Sequence, residues 1–375
     1  MSDFKALNIL KVDLSKLTQN YINISEFVDR SCEVAATVKA DAYGLGVTEI
    51  ANALSEAGCN KFFTFTLKEA MLVRTNSMTD EIFVYNGIFD GEQQAFLSNN
   101  IIPVLNSITQ IELWLNFAMK KGTKLPAVIQ VDTGMTRLGI NYLELIAYLK
   151  DNMEILAAKL KLKYIMSHLA CAEDEHDLNK QQLEKMLSLK KIFPQIKLSL
   201  ANSAGILLGK EFHLDLVRPG ALLYGFVPNF KKVHFISEVA EYYSTLSQIR
   251  IAENDSSVGY GATKSVKKGA KLGVVSIGYA DGFFRNLTNK GKCYIEDYPA
   301  PIVGRVSMDC TVLDVTEVPD KFLFEGAQVE ILGPNSSIAD IATTANTTGW
   351  EVLTSLGNGR RYEKMIVRNQ GHYNL

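Results

Sequence analysis

The chain has 375 residues, 47% hydrophobic and 21% charged, which is apolar material enough for a large core and two ordinary domains. Its 39 basic and 41 acidic side chains leave a net charge of −2, so nothing electrostatic favours nucleic acid or an anionic membrane, and a small-molecule substrate is expected. No apolar run approaches the roughly 20 residues that cross a bilayer. The opening MSDFKALNIL lacks a basic start followed by an apolar core and a cleavage site, so the expected location is the cytoplasm. Cys32, Cys59, Cys171, Cys293 and Cys310 are widely spaced without a C-x-x-C pair and read as reduced thiols.

Up to about residue 225, short apolar runs alternate with longer stretches of helical spacing, the pattern of βαβ units around a parallel sheet. Strands are expected at 33–39, 61–66, 82–86, 101–105, 126–132, 162–168, 197–201 and 212–217, with helices at 47–57, 108–121 and 177–192 among them. Periodicity alone leaves a closed barrel and an open doubly wound sheet level. The polar residues favour the barrel: Lys39, Asn86, Asn106, Asp132, His168, Asn202 and Arg218 each fall at or just past the C-terminal end of an expected strand, where a barrel builds its active site.

From about Val233 the pattern becomes strands separated by glycine and proline turns, at 271–277, 300–305, 311–315, 328–332 and near 364–367, interrupted by helices at 338–344 and 350–356. The expected fold class is therefore α/β, an N-terminal eight-stranded (β/α) TIM-type barrel over 1–232 followed by a mostly-β domain over 233–375. The first ten or so residues are expected to be free to pack with the second domain.

The segment VKADAYGLG at 38–46 places Lys39 at the end of a buried-looking run and follows it with Tyr43, Gly44 and Gly46. A lysine at a strand end is ordinarily solvated. It is also where an amine can form a Schiff base with a carbonyl cofactor, while a tight turn brings a hydroxyl to an anionic group. His168, His176, His213, His234 and His372 form no i, i+4 pair, so no metal site is expected. The G-Y-G at 259–261 and G-N-G at 357–359 are too short for a dinucleotide fingerprint, and no nucleophile elbow is present.

Five sets of segments, in order, resemble the alanine racemase family, fold-type III enzymes that use pyridoxal 5'-phosphate. They are VKADAYGLG (38–46), VDTGMTRLG (131–139), SHLACAED (167–174), NSAG (202–205) with VRPGALLYG (217–225), and the trio VGYGATK (258–264), IGYADGFFR (277–285) and GRVSMD (304–309). The resemblance spans nearly the whole chain and implies interconversion of L- and D-alanine, supply of D-alanine for peptidoglycan, and a head-to-tail homodimer whose two active sites each use both chains.

Position by position, Lys39 resembles the lysine that holds the cofactor and acts as a base, and Tyr260 the opposing base from the partner chain. Two bases on opposite faces suit a racemase, which must move an α-proton to and from either side. A phenol of ordinary pKa about 10 needs roughly 4 kcal/mol of differential stabilisation to titrate near 7. His168 and Arg218 resemble the family's residues on the path to it. Arg218 also resembles the arginine facing the pyridine nitrogen, where its permanent charge would leave that nitrogen unprotonated and limit side reactions such as decarboxylation.

Tyr43, Ser203, Gly220, Ala221 and Tyr362 match the family's phosphate ligands, with Ser203 also readable as a helix N-cap. Arg137 and the partner chain's Met308 resemble the substrate-carboxylate site, with Asp309 in the same network. Tyr279 and Tyr362 resemble an aromatic neck, with Glu173, Asp174 and Arg285 further out.

Two positions depart from the family pattern. Gln130 stands where many members carry a carbamylated lysine, so chloride near Gln130 and Arg137, or the Gln130 amide oxygen alone, is expected to orient Arg137. Thr136 stands where glycine is frequent. Rival readings are a racemase of serine or of lysine and arginine, a fold-type III decarboxylase, and a non-catalytic pyridoxal phosphate carrier.

Overall fold

The structure is a computed structural model that describes residues 6–75, 80–227, 233–359 and 361–368. His372 and residue 232, the expected end of the first domain, lie outside the described residues. The chain divides into two compact units: Leu17–Ala42 with Gly46–Ser237, and Met1–Lys16 with Tyr43–Leu45 and Glu238–Leu375.

In the first unit a parallel sheet closes on itself. Its strands are Glu33–Val34 with Ala36–Thr37, then Lys61–Thr64, Glu81–Val84, Ile101–Leu105, Leu125–Asp132, Leu160–Met166, Lys197–Ser199 and Leu216–Val217. Ala36 and Thr37 pair with Phe62 and Phe63, while Glu33 and Val34 pair with Leu216 and Val217, so both edges of the sheet are consumed by one interrupted strand. That closure removes the open-sheet alternative. Alternation along the strands sends Ala35, Phe63, Phe83, Ile102, Val104, Val128, Tyr164, Met166 and Leu216 into one buried interior.

The helices begin and end where local chemistry dictates. Thr66 and Glu69 form a capping box at the start of Leu67–Arg74. Ser107 caps Ile108–Lys121, which Gly122 ends in the left-handed conformation. Five of the eight expected strands, those at 33–39, 61–66, 82–86, 197–201 and 212–217, are shorter than the sequence suggested, the first and last for a visible reason. The first stops at Thr37, because the next residues enter a helical turn, and the last is confined to Leu216–Val217, because Lys210–Phe212 forms a 3-10 turn before it.

The second unit is built on Ala240–Ile251, a strand absent from the sequence expectations although its burial alternates over the first seven residues. It pairs antiparallel with Ile9–Asp13, Lys271–Val275 and Gln328–Leu332, and Ile9–Asp13 in turn runs parallel to Glu363–Val367. The N-terminal strand thus belongs to this unit. The strands Lys292–Ile295, Tyr298–Pro301 and Thr311–Asp314, a small hairpin, Ser256–Val258 with Lys264–Val266, and the helices Ile338–Ala345 and Gly349–Asn358 belong to it as well, the strand expected at 300–305 lying instead at Tyr298–Pro301. Among the described residues no helix is long and apolar enough to cross a membrane.

Candidate active site

Lys39 opens a turn that the glycines alone did not foretell. Ala40, Asp41, Ala42 and Tyr43 all have φ between 52° and 60°, a left-handed helical turn of non-glycine residues. Each such residue costs about 1–2 kcal/mol. Specific bonds offset it: Glu69 Oε1 accepts from Ala40 N–H at 2.6 Å, and Asp41 accepts from Gly46 N–H through its carbonyl and from Val47 N–H through Oδ1 at 2.8 Å. The strand end that carries Lys39 is thereby turned straight into the helix Val47–Glu56.

Around Lys39 the first unit concentrates positive charge. Arg218 is 2% exposed, and its guanidinium donates to Ser199 Oγ at 2.9 Å, to Tyr85 Oη at 3.3 Å and to the carbonyls of Ser167 and Leu200. Among the described residues no carboxylate pairs with it. Tyr85, missed in the sequence reading, lies with its ring 6.0 Å from Lys39 Nζ and 5.9 Å from the Arg218 guanidinium. Its place just past the strand Glu81–Val84 is the same signal that singled out Asn86, whose neighbour it is.

Burial, then the nearby Arg137 and Arg218 charges, lower the Lys39 pKa, with Glu69 opposing. Burial followed by Arg218, Arg137 and Lys39 holds the His168 pKa well below its ordinary value, so this ring is neutral, 3.4 Å from the Asn202 amide.

Ser203 is buried, and its Oγ accepts from Gly220 N–H at 2.9 Å and Leu222 N–H at 3.2 Å. The cap of the helix Ser203–Leu208 is Asn202, which accepts from Gly205 N–H, so Ser203 is not the N-cap that its position allowed. Ala221 starts the short 3-10 turn that follows Gly220.

Arg137 is exposed on a loop whose backbone is tied from within. Asp132 Oδ1 accepts from Gly134, Met135 and Thr136 N–H, and Gln130 Nε2 donates to Leu138 carbonyl at 3.0 Å. Thr136 has φ 54°, which accounts for glycine being the easier residue there. Glu173 and Asp174 are exposed on a loop whose carbonyls, at Cys171 and Asp174, accept from the buried Asn179 amide.

The second unit brings together a different set. Tyr260 sits at the hairpin tip, 73% exposed, and with Tyr279, Arg285, Arg305, Val306 and Ser307 lines an open depression of about 590 Å³. Tyr279 and Ala280 donate their N–H groups to the Ser307 and Met308 carbonyls, both at 3.0 Å. A Cβ on Gly278 would lie 2.2 Å from Met308 carbonyl oxygen, so the two loops meet only because that residue is glycine.

Arg361, another residue not anticipated, forks onto buried Asp281 at 2.8 and 3.0 Å and reaches Asp309 at 2.7 Å. Tyr362 follows it, its ring edge-on to Tyr242, and the buried Tyr43 belongs to this same unit.

A basicity-depressed lysine on the C-terminal rim of an eight-stranded barrel, with a mostly-β unit after it, defines a fold-type III pyridoxal phosphate enzyme. The residues fit that cofactor: Arg218 is a buried cation without an acidic partner among the described residues, and the Lys39 amine leans toward the neutral form that reacts with an aldehyde. The family model described as "Alanine racemase, N-terminal domain" matches residues 12–228, and "Alanine racemase, C-terminal domain" matches 239–366.

An alanine racemase of Brucella suis is 39% identical over 384 residues, covering 98% of this chain and 96% of its own, and one of Rickettsia canadensis is 40% identical over 365 residues, covering 97% and 100%. The crystal structure of alanine racemase from Bartonella henselae with covalently bound pyridoxal phosphate superposes with a TM-score of 0.91 at 39% identity, covering 97% of this chain and 100% of that one. The chain belongs to the alanine racemase family.

Proposed function

We propose that the chain interconverts L- and D-alanine, with Lys39 as base on one face of the substrate α-carbon and Tyr260 of a second copy on the other. The observation that carries this reading is the lowered pKa of Lys39 among Arg218, Arg137 and neutral His168, because an amine held toward its free-base form can take a proton. When bound, pyridoxal 5'-phosphate supplies the electron sink that makes the α-proton removable. Lys39 would hold it covalently, Tyr43, Ser203, Tyr362 and the backbone of Gly220 and Ala221 would receive its phosphate, and Arg218, whose charge acts on His168, would face its ring nitrogen. A permanent cation there, rather than a carboxylate, disfavours the decarboxylase reading.

Arg137 takes the substrate carboxylate, joined by the backbone N–H of Met308 from the second copy, whose loop Asp309 and Arg361 brace. Tyr279 and Tyr362 narrow the entrance, and Glu173, Asp174 and Arg285 line its outer part, which favours a small side chain. The assembly is a head-to-tail homodimer in which the mostly-β domain of each chain completes the other's site. Exposure of Tyr260, Tyr279 and Met308 supports that arrangement. Gln130 ties the loop backbone, and chloride or the Gln130 amide oxygen orients Arg137. A loss of carboxylate affinity on removing chloride supports the halide; no dependence, with a normal response to Gln130→Lys, removes it.

The decisive experiment is an absorbance spectrum of the holoenzyme, borohydride reduction and peptide mapping, expected to place the cofactor on Lys39. A panel of L-amino acids followed by loss of optical rotation is expected to favour alanine. Preferred turnover of lysine, arginine or serine would overturn the substrate assignment.

A further inference from the structure

Gln182 lies on the helix Asp177–Ile192, outside the barrel strands, and is 0% exposed in a stretch where Asn179, Leu183, Met186 and Leu189 are the other buried residues. An amide in such a position is costly unless its groups are matched. Its Nε2 donates to Thr133 Oγ1 at 3.0 Å and to His168 carbonyl at 2.8 Å, and its Oε1 accepts from Ala170 N–H at 2.9 Å. Thr133, itself 0% exposed, shares a 2.7 Å hydroxyl bond with Ser167, whose carbonyl accepts from Arg218.

The same helix face makes two more contacts with the start of the Arg137 loop. Lys185 Nζ donates to Thr133 carbonyl at 2.8 Å, and Leu178 covers Gly134 so closely that a Cβ there would sit 3.0 Å from Leu178 Cδ1. Residues 178, 182 and 185 share one helix face. One buried amide therefore joins the segment that leads to Arg137 with the segment that carries His168.

We infer that Gln182 is a positioning residue for the substrate carboxylate site, fixing the Arg137 loop against the His168 strand end. The inference rests on the reading that Arg137 binds the carboxylate. A Gln182 that only filled the core would affect stability, whereas a clamp on Arg137 affects binding common to substrate and transition state. Loss of such uniform binding raises KM with kcat little changed.

The test uses the holoenzyme and the variants Gln182→Met, Thr133→Val and Arg137→Ala, with propionate as the probe because it carries the carboxylate without the amine. Steady-state constants for L-alanine and the propionate Kd, read from the cofactor absorbance, are measured on folded, cofactor-loaded protein. Gln182→Met is expected to raise KM and the propionate Kd about tenfold, as displacement of a positioned group does, with Thr133→Val moving both in the same direction by less.

If Gln182→Met keeps both constants within about twofold of the parent while Arg137→Ala loses propionate, the clamp is wrong and the carboxylate reading stands. If Arg137→Ala leaves propionate binding unchanged, the carboxylate reading falls and the clamp with it. Should Gln182→Met not accumulate as folded protein, Thr133→Val decides by the same criterion.

Discussion

The barrel unit and the β unit hold their functional side chains in opposite ways. In the barrel, Arg218, Ser203 and Gln130 are 2%, 6% and 6% exposed and satisfied by neighbours in the same ring of strand ends. In the β unit, Tyr260, Met308 and Tyr279 are 73%, 52% and 45% exposed on loops. The three barrel residues are arranged by their own fold, whereas Arg137, Glu173 and Asp174 are exposed on barrel loops. The β-unit residues are presented from loops and incomplete by themselves, and their chemistry depends on whatever surface covers them.

The largest effects should separate the two kinds of residue. Lys39→Ala is expected to abolish covalent cofactor capture and racemisation together, and Tyr260→Phe to lower racemisation by about a thousandfold or more while the cofactor absorbance persists. Appreciable turnover in Tyr260→Phe would break the division of labour between the units.

A second test addresses the frame that presents the β-unit residues. Gly44 has φ 85°, and a Cβ there would lie 2.8 Å from Gly357 Cα and 3.1 Å from Leu353 carbonyl oxygen, two backbone sites that cannot swing aside. Gly44→Ala should cost roughly 3–5 kcal/mol, read as a lower denaturant midpoint. A loss under about 1 kcal/mol would mean that the two backbones part easily.

A smaller effect follows from Glu238, whose carboxylate accepts from the N–H of Ile338 at the start of the helix Ile338–Ala345. Burial first, then Asp340, pushes its pKa up to about 7 from the usual 4.5. A carboxyl with a raised folded-state pKa binds its proton more tightly in the native state. Its contribution to stability is therefore present below pH 4.5 and lost as pH rises to 7, roughly 3 kcal/mol in all. Glu238→Gln should flatten that part of the stability profile, and melting measured from pH 4 to 8 checks it.

Much of the barrel half was legible because strand ends are marked by where an apolar run stops. That rule located Lys39, His168, Asn202 and Arg218, and the helices Ile108–Lys121 and Asp177–Ile192 have the bounds that periodicity gave. It passed over Tyr85 because an aromatic at the end of such a run looks like core. Asp41 and Glu69 were invisible for another reason: they stabilise a left-handed turn through backbone N–H groups, which no periodicity records. Gln182 reads in sequence as one more polar helix residue. The Arg361 fork onto Asp281 joins positions 80 residues apart, a pairing that only the fold brings about. Ala240–Ile251 escaped because serine, threonine and glutamine break its apolar alternation.

The finest distinction concerns how the barrel tunes its own lysine. Neighbouring side chains act on Lys39 in opposite directions, Arg137 and Arg218 lowering its pKa and Glu69 raising it, with burial the larger cause. Capture of the cofactor's aldehyde requires the neutral amine. Arg137→Gln removes a cation, raises the Lys39 pKa and moves the pH midpoint of capture by the cofactor-free enzyme upward, slowing it a few-fold at neutral pH. Glu69→Gln removes the opposing charge and moves the midpoint downward, its amide oxygen still able to accept the Ala40 N–H bond that holds the turn. Stopped-flow absorbance of capture against pH reads both. Shifts of opposite sign would confine the tuning to charges in the barrel; shifts of the same sign would point to disruption of the left-handed turn instead, since both variants then act through geometry rather than through charge.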